Sequence, residues 1–356
     1  MDSQKPLRVA VVGCGGMANS HLSKFTGERN VQIVACCDVL EASARQFAER
    51  HSIPAWYTDY RKLLAREQLD AVAVVTSDVA HAAVSIAAFK KGLHVLCEKP
   101  LATSLAEAKR MLAAAKASGK MHMVNFSYRP YVALERARQL VDEGRLGRII
   151  HVEASYLQQW LASDAWGDWR KVPALQWRMS RKHRGGVLVD IGCHILIFTT
   201  HVVGDITSLQ CRMKSFDKGV PKNTWKGYKL DADDSFAVTA EFASGAFGVI
   251  HATRWASGHN NALRLRVFGD KGALAIDTEV GKDKLQLCVG EFQARNLLWN
   301  TLTIPTPESS NYARFIRSIR TGKSEEPTFE DGVKIQGYLE ACQQSAKSGK
   351  MLRVKL

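Results

Sequence analysis

Short apolar runs alternate with amphipathic stretches through roughly the first 125 residues of the chain. Five runs are predominantly apolar, as is typical of strands buried on both faces of a parallel sheet. They cover residues 9–12, 31–37, 71–76, 94–97 and 121–125. The stretches between them have helical spacing, at about residues 17–27, 41–50, 59–66, 79–91 and 104–118. This alternation predicts an α/β fold with a doubly wound parallel sheet.

The pattern changes after residue 147. A linking helix is predicted over 131–143, a helix near 187–203, and two C-terminal helices over 312–320 and 329–348. Strand-like segments joined by short turns predict an open, mostly antiparallel sheet in an α+β domain. These segments are residues 151–157, 209–214, 235–243, 246–255, 263–268 and 272–277.

A glycine-rich turn follows the first strand and reads Gly13-Cys-Gly15-Gly16-Met17-Ala18. Gly13 permits the tight turn, Gly15 lets the backbone approach a pyrophosphate, and Ala18 lets the helix pack closely on the strand. The N-terminus of the helix then faces the phosphates. We therefore predict an N-terminal Rossmann domain (1–128) that binds NAD(P) through this turn, and a C-terminal domain (129–356) for substrate binding and oligomerisation.

Asp38 ends the second apolar run, twenty residues after Ala18. A carboxylate there accepts hydrogen bonds from the adenosine ribose hydroxyls and repels a 2′-phosphate. Val39 follows, where an NADP site more often places Arg or Lys. The sequence therefore favours NAD over NADP; the alternative is a solvated acid at the end of a strand.

Charge and cysteine content narrow the class of protein. The net charge of +14 is dispersed apart from the run 178–184, and no nucleic-acid-binding motif is present, so we expect no nucleic-acid partner. We also expect no membrane partner, because no apolar stretch reaches the length of a membrane span, and the N-terminus does not resemble a signal peptide. The eight scattered cysteines lack Cys-x-x-Cys spacing and indicate a reducing compartment, the cytoplasm.

Two further motifs carry candidate chemistry. Glu98-Lys99-Pro100 ends a predicted strand, where Lys99 can bind a reacting substrate oxygen; the alternative is a surface lysine in a turn. Asp190 and His194 have i, i+4 spacing, so a carboxylate can orient a histidine that acts as general base; the alternative is a capping aspartate and a packed histidine. No spacing indicates a metal site.

Together the three motifs, and the tail from Ser345 to Lys350, resemble the Gfo/Idh/MocA oxidoreductase family over essentially the whole chain. The resemblance implies a Rossmann domain, a C-terminal domain with an open sheet, and oxidation or reduction of sugars, inositols and related polyols with NAD or NADP. It implies catalytic roles for Lys99, Asp190 and His194. It also places Thr76, His81, Glu98, Lys99 and Asn125 near the cofactor. Two departures are Ser77-Asp78 after Thr76, and Ile197 where a second aspartate is common.

Aromatic residues are dense before the Asp190 motif. Tyr156, Trp160 and Trp169, with Arg170, can stack on a sugar ring and bind its hydroxyls. This arrangement resembles family members that act on glycosides or anhydrosugars; alternatively, the tryptophans build the core or a subunit contact.

We therefore expect an NAD-dependent dehydrogenase of a sugar, glycoside or cyclic polyol. Two alternatives stay open: an enzyme that cleaves glycosides through a transient 3-keto intermediate, and a non-catalytic NAD(P) sensor. A homodimer or homotetramer is expected, since one face of the predicted antiparallel sheet packs on the helix near 187–203 and the other needs a partner.

Overall fold

The computed structural model describes residues 5–305 and 309–355. The chain divides into two compact units, 1–127 with 309–336, and 128–308 with 337–356. The predicted assignment of the whole C-terminal part to one domain was therefore wrong for residues 309–336. The physical reason is that the apolar side chains of Tyr312, Phe315 and Ile316 belong to the core cluster of the first unit.

The first unit is a six-stranded parallel sheet with helices between successive strands, which confirms the predicted Rossmann-type fold. Its strands are β1 (Leu7–Val12), β2 (Val31–Cys37), β3 (Ala55–Tyr57), β4 (Ala71–Val74), β5 (His94–Cys97) and β6 (His122–Val124). Its first helices are α1 (Gly16–Thr26), α2 (Glu41–His51), α3 (Tyr60–Arg66), α4 (Asp78–Lys90) and α5 (Leu105–Ser118). The strand order β3-β2-β1-β4-β5-β6 reverses between β1 and β4, the position where such sheets bind ligands.

Local sequence signals explain the bounds of α5. The hydroxyl of Ser104 accepts a hydrogen bond from the backbone N–H of Glu107, and the Glu107 carboxylate accepts one from the backbone of Thr103. This reciprocal cap satisfies N–H groups that the first turn leaves unpaired. The helix ends at Gly119, whose φ of +63° is left-handed and suits glycine.

The second unit contains a nine-stranded sheet of order β16-β15-β14-β13-β7-β12-β11-β8-β17. Its strands are β7 (Ile149–Leu157), β8 (Ile206–Lys214), β11 (Ser235–Phe242), β12 (Phe247–Thr253), β13 (Ala262–Gly269), β14 (Gly272–Asp277), β15 (Lys284–Val289), β16 (Asn300–Thr303) and β17 (Leu352–Arg353), with a separate hairpin of β9 (Thr224–Trp225) and β10 (Tyr228–Lys229). All neighbours in the large sheet are antiparallel except β7 and β12, so the expected mostly antiparallel sheet is confirmed.

The remaining helices complete the two units. They are α6 (Val132–Asp142), α7 (Pro173–Gln176), α8 (Cys193–Val203), α9 (Glu291–Arg295), α10 (Asn311–Thr321) and α11 (Phe329–Ser348). Helix α8 packs on β7, β12 and β13 and is buried almost throughout. In β11, buried and less buried residues alternate strictly, as expected when one face of a sheet is covered.

Contrary to the sequence-based expectation, one segment of the described chain, Arg181–Val203, is long and apolar enough to cross a membrane by length and composition. Within the fold, 78% of its most apolar window is buried. That burial is typical of the core helix of a folded domain.

Candidate functional site

The turn between β1 and α1 requires glycine at its first position. Gly13 has φ +101°, and a Cβ built on it would lie 2.5 Å from the backbone carbonyl of Val75. Its N–H donates to the carbonyl of Cys37 at 2.7 Å. Both the conformation and the close approach of backbone exclude a side chain at this position.

The start of α1 leaves room for a phosphate. A Cβ built on Gly15 or Gly16 would meet no described atom within 4 Å. Ala18 is fully buried, whereas Met17 is half exposed. Unpaired N–H groups at the start of a helix and open space before them fit the pyrophosphate of NAD.

Asp38 is oriented toward the glycine turn. Its Oδ2 accepts a hydrogen bond from the Cys14 N–H at 2.8 Å, and its Oδ1 accepts one from the Leu40 N–H at 2.9 Å. Each oxygen keeps further acceptor capacity for a ribose hydroxyl. Val39, beside it, is 85% exposed and brings no positive charge that could attract a 2′-phosphate.

His81 bridges two loops at the carboxyl ends of the strands. It is buried, with Nε2 lying 3.1 Å from the Thr76 carbonyl oxygen and Nδ1 lying 3.0 Å from that of Pro100. Both ring nitrogens are thus engaged by the protein. The expected position near the cofactor is better described as support for the loops that carry Thr76 and Lys99.

Glu98 faces inward rather than toward the sheet edge. Its Oε1 accepts hydrogen bonds from His21 Nε2 at 2.8 Å and Asn125 Nδ2 at 2.7 Å, and its Oε2 accepts one from the Lys99 N–H at 3.1 Å. Burial alone would raise the pKa of Glu98. The hydrogen bond and charge of His21, with contributions from Asn125 and Lys99, outweigh burial and hold that pKa at about 2.

Asn125 extends the same network toward α10. Its Nδ2 also donates to the Tyr312 hydroxyl at 3.2 Å, and its Oδ1 accepts from Asn311 Nδ2 at 3.1 Å. Glu98 and Asn125, assigned to the cofactor by resemblance, are thus buried and bonded to protein groups. Their side chains support the strand ends. Lys99, half-buried and joined to Pro100 by a cis peptide bond, is the member of the motif that is more accessible.

Asp190 lies in a different local structure from the one predicted. Leu188–Gly192 forms a single π-helical turn before α8, so the α-helical register assumed for the i, i+4 pair is interrupted. The Oδ2 atom of Asp190 accepts hydrogen bonds from Arg254 Nη2 at 2.7 Å and from Arg178 Nε at 3.0 Å. Arg254 is fully buried, and two guanidinium groups on one oxygen favour an ionised carboxylate.

The ring of His194 is buried against two tyrosines. Its centroid lies 4.9 Å from that of Tyr128 and 6.3 Å from that of Tyr156, both edge-on. The tyrosine hydroxyls lie 2.7 Å apart; Tyr156 donates to Asn261 Oδ1 at 2.6 Å, and Asn261 Nδ2 donates to Tyr128 at 2.6 Å. This closed ring of hydrogen bonds fixes the wall that orients the imidazole.

The aromatic residues expected to bind sugar are mostly core. Trp160 is 1% and Trp169 5% exposed, and both belong to one apolar cluster. The Arg170 guanidinium packs over the Trp169 ring at 4.6 Å, and Tyr156 is committed to the ring of hydrogen bonds beside His194. The expectation that Trp160 and Trp169 present stacking faces to a sugar was therefore wrong, because their faces are covered by protein.

Sequence reasoning missed several of these side chains. They are His21, Tyr128, Arg254, Asn261, Asn311 and Tyr312. Nothing in their local spacing marks them, since each acts through a partner remote in the sequence. Across residues 5–305 and 309–355, no cluster of three His, Cys, Asp or Glu side chains could hold a metal ion.

Comparison with known proteins identifies the family to which this architecture belongs. A family model described as an oxidoreductase family with an NAD-binding Rossmann fold matches residues 7–126, and the Gfo/Idh/MocA C-terminal domain matches residues 134–275. The chain belongs to the Gfo/Idh/MocA family. The predicted family, the oxidoreductase activity and the NAD cofactor are confirmed.

Relatives of this family member act on sugars. Levoglucosan dehydrogenase of Pseudarthrobacter phenanthrenivorans is 27% identical over 386 residues, covering 96% of each chain. D-Glucoside 3-dehydrogenase of Escherichia coli is 28% identical over 250 residues, covering 68% of this chain and 69% of the relative. A structure of levoglucosan dehydrogenase with NADH and levoglucosan aligns over 99% of this chain and 100% of that one, with a TM-score of 0.86 and 26% identity.

Proposed function

We propose that this enzyme oxidises a secondary ring hydroxyl of a pyranose whose anomeric carbon is blocked, a glycoside or an anhydrosugar, with NAD. The observation that carries the proposal is the likeness over nearly the whole chain to a structure holding NADH and levoglucosan. Similarity to a glucoside dehydrogenase supports the same substrate class.

Three side chains carry the proposed chemistry. Lys99 binds the reacting oxygen and stabilises the negative charge that develops on it. His194 accepts the hydroxyl proton, with its ring oriented by Tyr128 and Tyr156. Asp190, held ionised by Arg178 and Arg254, supports the positive charge that forms on the histidine and binds a neighbouring hydroxyl. NAD, held by the glycine turn at Gly13 and Gly15 and by Asp38, would supply the hydride acceptor.

The test is a substrate panel followed at 340 nm with NAD and NADP in parallel. The panel contains levoglucosan, methyl α- and β-glucosides, free glucose, and myo- and scyllo-inositol. We expect net NADH formation with the blocked pyranoses and a preference for NAD. Glycoside cleavage without net NADH would instead favour the transient-oxidation mechanism. Absence of turnover with every member would contradict the proposed substrate class.

Variants of the proposed catalytic residues test the mechanism separately. Lys99→Ala and His194→Ala should each lower kcat at least ~10²-fold while NADH still binds, because general acid–base and electrostatic contributions are of that size. Near-normal kcat in either variant would remove that residue from the mechanism.

We also propose a cytoplasmic homo-oligomer, a homodimer or homotetramer. All eight cysteines are free thiols, which supports a reducing compartment. The C-terminal sheet leaves Ile150 45% and Phe247 48% exposed, on its β7 and β12 strands, which supports a second copy as partner. Light scattering at micromolar concentration tests the assembly, and a monomeric mass would contradict it.

A further inference from the structure

A buried polar cluster next to Lys99 has no part in the proposed mechanism. At its centre is Glu98, which is 8% exposed and accepts three hydrogen bonds, from His21, from Asn125 and from the backbone N–H of Lys99. The Lys99 N–H is the only one of these donors that belongs to the proposed catalytic residues. The Glu98 carboxylate therefore holds the backbone N–H of Lys99 directly, and a change in its orientation would move that backbone.

His21 is a polar residue at a core position of this cluster, where an apolar side chain would be expected. It is fully buried in α1, and its ring packs edge-on against Tyr312 with the centroids 5.3 Å apart. Its Nε2 lies 2.8 Å from Glu98 Oε1. Because Glu98 stays ionised and can only accept, Nε2 carries the proton. An apolar residue would fill this core position without the cost of burying an imidazole.

The other titratable groups that face Glu98 do not compete for this role. They are Tyr312 on α10, and Cys97 and Lys99 on either side of Glu98 in the chain. Burial raises the pKa of Tyr312 and of Cys97, so both are neutral near pH 7. The positive charge of Lys99 favours the ionised form of Glu98, but the hydrogen bond from Lys99 to Glu98 comes from its backbone N–H and not from its side chain. The imidazole and the Asn125 amide are thus the side chains that fix the carboxylate in direction.

We propose that His21 is a positioning residue of the reaction: by holding the Glu98 carboxylate, it fixes the backbone of Lys99 and so the lysine that binds the reacting oxygen. The inference rests on the proposed role of Lys99. His21 also belongs to α1, the helix whose N-terminus would hold the pyrophosphate, so one imidazole joins this helix to the end of β5.

Two amides of different length test the contact. Gln at position 21 can place an N–H near the position of imidazole Nε2, whereas Asn is too short to reach Glu98. We expect His21→Asn to lower kcat about 10²-fold, the cost of displacing a catalytic group by about 1 Å. The KM for the sugar and the Kd for NADH should change less than about threefold, since ground-state binding is retained. His21→Gln should restore most of kcat. His51→Asn is the control, because His51 makes a comparable Nε2 contact, to Asn19, at a more accessible position.

Each outcome decides the matter. Near-normal kcat in His21→Asn, or equal kcat in the Asn and Gln variants, overturns the inference. Loss of NADH affinity in parallel with kcat also overturns it, because His21 would then act on the cofactor helix alone. If His21→Asn does not fold, Glu98→Gln must show the same selective loss of kcat for the inference to stand. Failure of the proposed function is distinguishable, because Lys99→Ala would then keep its activity whatever His21 does.

Discussion

Acid stability should depend strongly on Glu98. Its pKa is about 2 in the folded chain against an ordinary value of 4.5. A folded-state pKa that is depressed stabilises the protein above the unfolded pKa, and the contribution is lost as pH falls toward the folded one. At 1.36 kcal/mol per pH unit, the separation of the two values corresponds to about 3 kcal/mol in full. Of this, about 2 kcal/mol is lost between pH 7 and pH 3.

Glu98→Gln removes this titration while keeping the shape of the side chain. The measurement is the free energy of unfolding in urea, followed by tryptophan fluorescence at several pH values from 7 to 3. We expect the variant to be less stable than wild type at pH 7, and the difference to shrink by about 2 kcal/mol by pH 3. Glu49→Gln, at a side chain 69% exposed, is the control and should give a nearly constant difference. A constant difference for Glu98→Gln as well would refute the reasoning.

Three further predictions concern the first unit. Gly13→Ala should abolish NADH binding and lower stability by about 1–3 kcal/mol or more, through its positive φ and contact with the backbone of Val75; titration of protein fluorescence with NADH checks this. Asp38→Ser combined with Val39→Arg should raise the ratio of kcat/KM for NADP over NAD, and an unchanged ratio would contradict the assignment of Asp38. Ser104→Ala should cost about 1 kcal/mol of unfolding free energy by removing the cap of α5, while activity at 25 °C stays normal.

The fold was predictable where burial of a strand or helix produces a recognisable pattern of apolar residues in the sequence. Strands β1, β2 and β5 are predominantly apolar runs, and the glycine turn identifies its own conformation. Strand β3 was missed because it has only three residues, none of them fully buried, and β16 because all four of its residues are exposed. An edge strand is held by backbone hydrogen bonds, which side-chain pattern does not reveal.

The candidate site was predictable only in part. Lys99, Asp190 and His194 stand in short motifs, so sequence order marked them. The residues that hold these side chains in place stand in no such motif. His21 contacts Glu98 from 77 positions away in the sequence, and Arg254 contacts Asp190 from 64 positions away. Trp160 was assigned to the ligand because composition cannot distinguish an aromatic face that is covered from one that is open. Only the packing around it decides that.

The return of residues 309–336 to the first unit has a consequence for synthesis. Tyr312, Phe315 and Ile316 complete an apolar cluster whose other members come from the first 123 residues. A ribosome has therefore made nearly the whole polypeptide before the nucleotide-binding unit possesses all of its interior. Until α10 has been synthesised, the core of the N-terminal half stays incomplete and its apolar surface stays exposed. We therefore expect α10, which lies far along the chain from the glycine turn, to decide how much the new chain needs chaperones and how much folded protein C-terminal truncations yield.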